Sequence, residues 1–167
     1  MALRATKPRV VPANDGRSPP GIGRSRPGSY RRILVPLIDS RESEKALTIA
    51  CQLAAEHGAL ITALTAIEVP AELPIDAHMD DEEQCARELL KEAQAICELY
   101  GVAVAPRIVR AREAGTAIID AAHDSRAEIV ILRAPRKPRA SVFGRSVDTI
   151  LKHAPCRVMI AASSADQ

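Results

Sequence analysis

The chain has 167 residues, 47% of them apolar, enough for one buried core and short for two. Its net charge of +2 conceals two opposed parts: residues 1–32 carry eight Lys/Arg against one Asp (+7), leaving 15 basic and 20 acidic residues (−5) in 33–167. Two tyrosines and one phenylalanine leave no stacking platform for single-stranded nucleic acid, and no apolar run is long enough to cross a bilayer.

Residues 1–29 hold five prolines and four glycines among scattered arginines and have no periodic apolar face, which predicts a disordered basic leader or linker. Such a leader could contact anionic lipid or be inert. The apolar core of an export signal is absent. Arg31-Arg32 precedes only a strand-length segment that soon meets Asp39.

The run RILVPL at 32–37 predicts a first, central parallel strand. Ser40 is the expected cap of a helix whose stripe is Ala46, Ile49, Ala50, Leu53 and Ala54, and Gly58 ends it. A second strand spans 59–69, and a loop through Pro70 and Pro74 leads to a helix opening at Asp80 or Asp81. Cys85, Leu89, Ala93, Ile96 and Tyr100 are its expected buried side. The third strand is placed at 102–109, toward a sheet edge because of Pro106. Thr116 is the expected cap of a short helix packed through Ala117, Ile118, Ala121 and Ala122, and EIVIL at 128–132 is the fourth strand.

A basic loop, RAPRKPRASVF at 133–143, precedes the most legible stretch, FGRSVDTILKHAPCRVMI at 143–160. Val147, Ile150, Leu151 and Ala154 give its helix an apolar stripe, Pro155 stops that helix, and the apolar run that follows predicts a strand covered on both faces. Five strands alternating with four helices require crossovers, which predicts a doubly wound α/β fold with a five-stranded parallel sheet and helices on both faces. Ligands of such folds sit beyond the carboxyl ends of the strands. The candidate residues there are Pro36, Asp39 and Ser40 after the first strand, Ile67 near the end of the second, Arg133 after the fourth, and Gly144, Arg145 and Ser146 at the last helix N-terminus.

Arg133, Arg136, Lys137, Arg139 and Arg145 fall within thirteen residues that contain no acid. They are read either as an anion-binding loop or as a solvated surface that aids solubility. The four cysteines form no CxxC pair, so neither a disulfide framework nor a zinc site is expected, and Cys51, Cys85 and Cys97 read as buried thiols of a protein in a reducing cytoplasm. The sequence contains no nucleophile elbow and no P-loop, and a non-enzymatic role is expected.

From Arg32 to Ala162 the chain resembles the universal stress protein family, on the evidence of RILVPLIDSRESEKAL, AEIVIL and, above all, HAPC followed by a hydrophobic strand. The resemblance implies an adenine-nucleotide alpha-hydrolase-like fold over 30–163 with a short tail at 164–167. It also implies a homodimer joined through the last strand, Arg157 to Ala162, and a stress-response or regulatory module that senses ATP, AMP, a cyclic nucleotide or another anion.

The family's G-x2-G-x9-G-[ST] pattern is degenerate here. Only Gly144 remains: Ile131 and Ala134, or Leu132 and Pro135 with a shorter loop, stand at the other glycine positions, and Arg145 stands at the hydroxyl position with Ser146 next. Ile38 occupies the place of the first-strand Asp, with Asp39 one residue on. The combination of LIDS with SVDTILKHAPCRVMI is similar to stress-protein-like domains on the cytoplasmic side of amino-acid permeases, which implies a membrane transporter as a partner. A dimerising interaction module without a ligand is the alternative role. Neither nucleic acid nor a metal ion is an expected partner.

Overall fold

The computed structural model describes residues 30–38, 40–134 and 145–162, apart from the side chains of 40–42. The basic leader, the centre of the arginine loop, Asp39, Gly144 and the C-terminal tail lie outside the described residues. The elements run β1 (Arg32–Pro36), α1 (Ser40–His57), β2 (Leu60–Glu68), α2 (Asp80–Leu99), β3 (Val104–Ala111), α3 (Ala114–Asp124), β4 (Ile129–Arg133), α4 (Arg145–His153) and β5 (Arg157–Ala161). All strand pairs are parallel, and the sheet order is β3-β2-β1-β4-β5.

That order explains the two layers. The chain steps outward from β1 through β2 to β3, then returns past β1 to place β4 and β5 on the other side. Right-handed crossovers taken in opposite directions put their helices on opposite faces. One face buries Ile33, Val35, Ile61, Ala63, Ile129 and Ile131 beneath α1 and α2. The other buries Leu34, Leu64, Val130 and Leu132 beneath α3 and α4. Strand residues therefore sort by parity, as a pleat requires. Gly58 and Gly101, with φ of 62° and 65°, take the left-handed conformation that ends α1 and α2.

At the amino edge of the sheet, Glu128 binds the start of β1 to that of β4. Its Oε2 accepts the backbone N–H groups of Arg31 (2.5 Å) and Arg32 (3.4 Å), and the Arg32 guanidinium lies 3.4 Å from Oε1. Tyr30 packs beside Arg157, whose Nη1 donates to its hydroxyl over 3.1 Å.

Several sequence expectations shift by small rotations. The buried side of α2 is Ala86, Leu90, Ala93 and Cys97. The expected stripe shares Ala93 with it, but Cys85 and Tyr100 are exposed while Leu89 and Ile96 flank the contact half-buried. Leu151 is 44% exposed because Ile150 takes the central position of α4. Helix α3 starts two residues before Thr116, with Glu113 as N-cap residue and no side-chain cap bond. Strand β5 forms an edge and is half-buried, so the apolar run that suggested two covered faces is only partly covered in the single chain.

The two sheet edges differ in chemistry. The bonds from Ile61 N–H to the Ala103 carbonyl and from Val69 N–H to the Ala111 carbonyl direct the odd residues of β3 toward β2. Pro106 is then an outward-pointing position, where its missing N–H costs the sheet nothing and removes a donor from the edge. On β5 the Ala161 carbonyl accepts from Ala134 at 2.8 Å, so Val158 and Ile160 direct their backbone groups outward, and neither is proline.

The interior also holds a polar exception. Thr65 is 7% exposed, and its buried Oγ1 has no hydrogen-bond partner among the described residues. Thr65→Val, nearly isosteric, is expected to raise stability by about 1 kcal/mol because it removes an unpaired buried hydroxyl. Urea unfolding checks the sign, and a loss of stability would mean that the hydroxyl has a partner.

Candidate functional site at the strand switch point

The order of the strands reverses between β1 and β4. Two observations explain why the pairing of these strands ends short of their carboxyl ends. Bonds from Leu60 N–H to the Arg31 carbonyl and from Leu37 N–H to the Leu64 carbonyl turn the odd residues of β1 toward β2. The even residues consequently face β4, and the β1–β4 pairing extends only over Ile33↔Ile129 and Leu34↔Val130. Pro36 is the next residue on that side and has no N–H to give, so the ladder cannot continue through it. The β1–β4 pairing ends here, at the point where the strand order reverses.

The sheet extends further on the β2 side of this point. Strand β1 ends at the pair Pro36↔Leu64, whereas β2 and β3 stay paired to Glu68↔Ala111. The four extra residues project the β2–β3 ladder roughly 13 Å beyond the end of β1, at the usual ~3.3 Å per residue. On the α3–α4 face, the N-termini of these two helices meet. A Cβ on Gly115 of α3 would lie 3.1 Å from the Ser146 carbonyl oxygen and 3.1 Å from Thr149 Cβ, so α4 seats its first turn directly on this glycine. The neighbouring Ala114 N–H donates to Glu68 Oε1 at 2.8 Å, so the carboxylate at the end of β2 satisfies the start of α3.

The residues singled out from sequence separate onto different surfaces. Pro36 is buried, with the parity of Leu34, on the α3–α4 face, and Ser146 begins α4 there half-buried. Arg145 is exposed, and its carbonyl accepts from Thr149 Oγ1 at 2.9 Å. Ile67 is 4% exposed and shares the parity of Ile61 and Ala63, on the α1–α2 face. Arg133 has the parity of Ile129 and Ile131 and also belongs to that face. Ser40 opens α1, but its side chain, Asp39 and Gly144 lie outside the described residues. Ile131 is fully buried and Leu132 is 3% exposed, so neither stands in an open loop where a phosphate-binding glycine would be needed.

Three further residues that the sequence reading did not name lie around this point. Ser43, only 3% exposed, accepts the Ile38 N–H on its Oγ at 3.0 Å and so fixes the β1–α1 turn. Its signal was a second serine three residues inside the helix. Ala66 is half-buried and has the parity of Leu64, which places it, one residue from the named Ile67, on the same face as Pro36. Gly115 has no sequence signal beyond being a glycine in a first helical turn.

The thiols lie elsewhere. Cys51 and Cys97 pack with their sulfurs 3.7 Å apart between α1 and α2. Burial pushes the Cys97 thiol up to about 12, aided by Cys51, and burial also raises Cys51 and Cys156, so none is a ready nucleophile. Among the described residues no group of three His, Cys, Asp or Glu is placed to hold a metal ion. No described helix is long and apolar enough to cross a membrane. An open groove of about 410 Å³ lies along β3 and α3, away from the switch point, and its rim carries the 3.7 Å ion pair of Arg107 with Asp124.

Comparison with known proteins adds to this geometry. The model of the universal stress protein family matches residues 29–162. Comparison with curated proteins gives no match. A protein from the universal stress protein family of Burkholderia pseudomallei is similar at a TM-score of 0.64 and 25% identity, over 80% of this chain and 97% of that one. The universal stress protein of Archaeoglobus fulgidus in complex with dAMP is similar at a TM-score of 0.65 and 19% identity, over 78% and 97% of the two chains. An Arabidopsis thaliana universal stress protein family member with AMP bound gives 0.62 and 14%, over 81% and 94%.

Proposed function

The chain belongs to the universal stress protein family, and from that membership we propose that it is a non-catalytic regulatory module that binds an adenine nucleotide at the β1–β4 switch point. The observation that carries this reading is the end of the β1–β4 pairing before Pro36 at the point where the strand order reverses, with the first turn of α4 at Ser146 on the same face. Solved relatives of the same fold that hold dAMP and AMP support it. ATP and cyclic nucleotides share the adenosine monophosphate core and belong to the same ligand class.

The missing glycines change the expected mode of binding. Ile131 and Leu132 are buried in β4, and a glycine cradle at those positions is unavailable to a triphosphate. The nucleoside and first phosphate would carry most of the affinity, with AMP binding about as tightly as ATP. Thermal melting of the full chain with AMP, ATP and cyclic AMP tests this. A ligand at one hundred times its Kd stabilises the native state by about 2.7 kcal/mol, and unchanged midpoints with all three would remove the nucleotide reading.

The same module pairs with a second copy through β5. The unblocked outward backbone of Val158 and Ile160, set against the proline-blocked edge at Pro106, supports this arrangement.

A further inference from the structure

Helices α1 and α2 share one face of the sheet, and their buried stripes are rich in short side chains. Ala46, Ala50, Cys51 and Ala54 lie on α1, and Ala86, Leu90, Ala93 and Cys97 on α2. Short side chains let two helices approach closely. Where they do, the Cys51 and Cys97 sulfurs lie 3.7 Å apart, and both residues are 0% exposed. The other two cysteines are differently placed, Cys85 exposed and Cys156 half-buried.

Two sulfurs at 3.7 Å are already in van der Waals contact. A disulfide bond is about 2.05 Å long, so the sulfurs need to close by about 1.7 Å, a movement that side-chain rotation at the two cysteines can share. The surroundings favour completion once one sulfur is oxidised. A sulfenic acid is polar, and among Leu47, Ala50, Leu90 and Ala93 it would be a costly buried group. Condensation with the adjacent thiol removes that polar group.

We propose that Cys51 and Cys97 form an oxidation site, at which a hydroperoxide converts the two thiols into a disulfide that clips α1 to α2. The Cys51 sulfur, after releasing its proton, attacks one oxygen of hydrogen peroxide. The O–O bond breaks, leaving a sulfenic acid on Cys51 and a hydroxide that takes up the proton as water. The Cys97 sulfur then attacks the Cys51 sulfur, the S–O bond breaks, and hydroxide leaves with the Cys97 proton as a second water. Two thiols thus give up two electrons to one peroxide. Cys51 attacks first: burial raises its thiol but hydrogen bonding with Cys97 offsets part of that rise, whereas burial and Cys51 together push Cys97 up to about 12. Burial makes the step slow, since peroxide and base reach the pair through local opening of the two helices. A small thiol reverses it by exchange. The clip lies on the face opposite Pro36 and Ser146, so it stands independently of the nucleotide reading.

The test uses the full chain as wild type and as Cys85→Ser, which removes the exposed competing thiol. Each is treated with hydrogen peroxide, alkylated at its remaining thiols, digested and read by mass spectrometry, with thermal melting before and after treatment. The expected product is a peptide pair joined through Cys51 and Cys97 within one chain. Its Tm should be higher by about 10 °C, the effect of a cross-link between residues 46 apart in a chain of this size, and should return to the starting value with dithiothreitol. Recovery of the two cysteines as alkylated thiols or as sulfinic acids would overturn the proposal. A joined pair with an unchanged or lower Tm would overturn it too, because the bond would then form only by distorting the helix contact. Neither outcome depends on a substitution in the core.

Discussion

Gly115→Val is expected to destabilise the chain by about 1–3 kcal/mol, the usual cost of forcing extra methyl groups into a close-packed contact. Even the first added carbon would sit 3.1 Å from the Ser146 carbonyl and 3.2 Å from Ser146 Cα, and both of these are backbone atoms that cannot rotate aside. The γ-methyl groups of valine therefore push α4 away from α3. Gly115→Ala makes an informative contrast. Alanine gains about 0.8–1.0 kcal/mol of helix propensity over glycine, which offsets a displacement of a few tenths of an ångström and leaves stability nearly unchanged. Guanidinium unfolding of both variants measures the difference. Because Ser146 moves with α4, the valine variant should also lose nucleotide affinity, whereas the alanine variant should keep it. Valine tolerated within about 0.5 kcal/mol, the range of ordinary surface changes, would mean that the two helix N-termini are not tightly seated.

On the proposed pairing through β5, Ile160→Pro is expected to give a folded monomer. The substitution reproduces on β5 the device that β3 already has at Pro106. Ile160 directs its backbone groups outward, so proline removes a donor from the free edge and none from the ladder with β4. Sedimentation velocity on both chains, with circular dichroism to verify the fold, gives the outcome. A wild type that stays monomeric at about 100 µM, well above a micromolar Kd, or a proline variant that still dimerises, would exclude pairing through this edge.

The fold was legible because its signals were redundant. Strand-length apolar runs at β1, β4 and β5, each followed or preceded by a helical pattern, leave little besides a parallel sheet, and the family match over 29–162 agrees with that reading. Helix faces were less legible. The stripe on α2 missed by one residue because Cys85, Leu89 and Ile96 are as apolar as Ala86, Leu90 and Cys97, and composition cannot choose between adjacent stripes. The exposed Leu151 has the same origin.

The switch point was legible as a place in the sheet, and the faces of the candidate side chains were less so. Pro36 and Ser146 fall on one face of the sheet, and Ile67 and Arg133 fall on the other, because a pleat reverses side-chain direction at each residue. A shift of one residue changes the face, so Ile67 lies on the α1–α2 face and its neighbour Ala66 on the face of Pro36. Ser43 acts through a bond that spans a turn. Nothing in the local sequence marks such a partner. Glu68, which receives the first N–H of α3 from 46 residues away in sequence, is a further example.

The central claim is that the switch point beside Pro36 takes an adenine nucleotide through its nucleoside and first phosphate. Calorimetric titration of AMP into the full chain, repeated with ATP and cyclic AMP, tests it most directly. The account predicts saturable binding of one AMP per chain with a Kd below about 1 mM, equivalent to −4.1 kcal/mol, and ATP within a few-fold of AMP. An absence of saturable heat with all three nucleotides at millimolar concentration would contradict it.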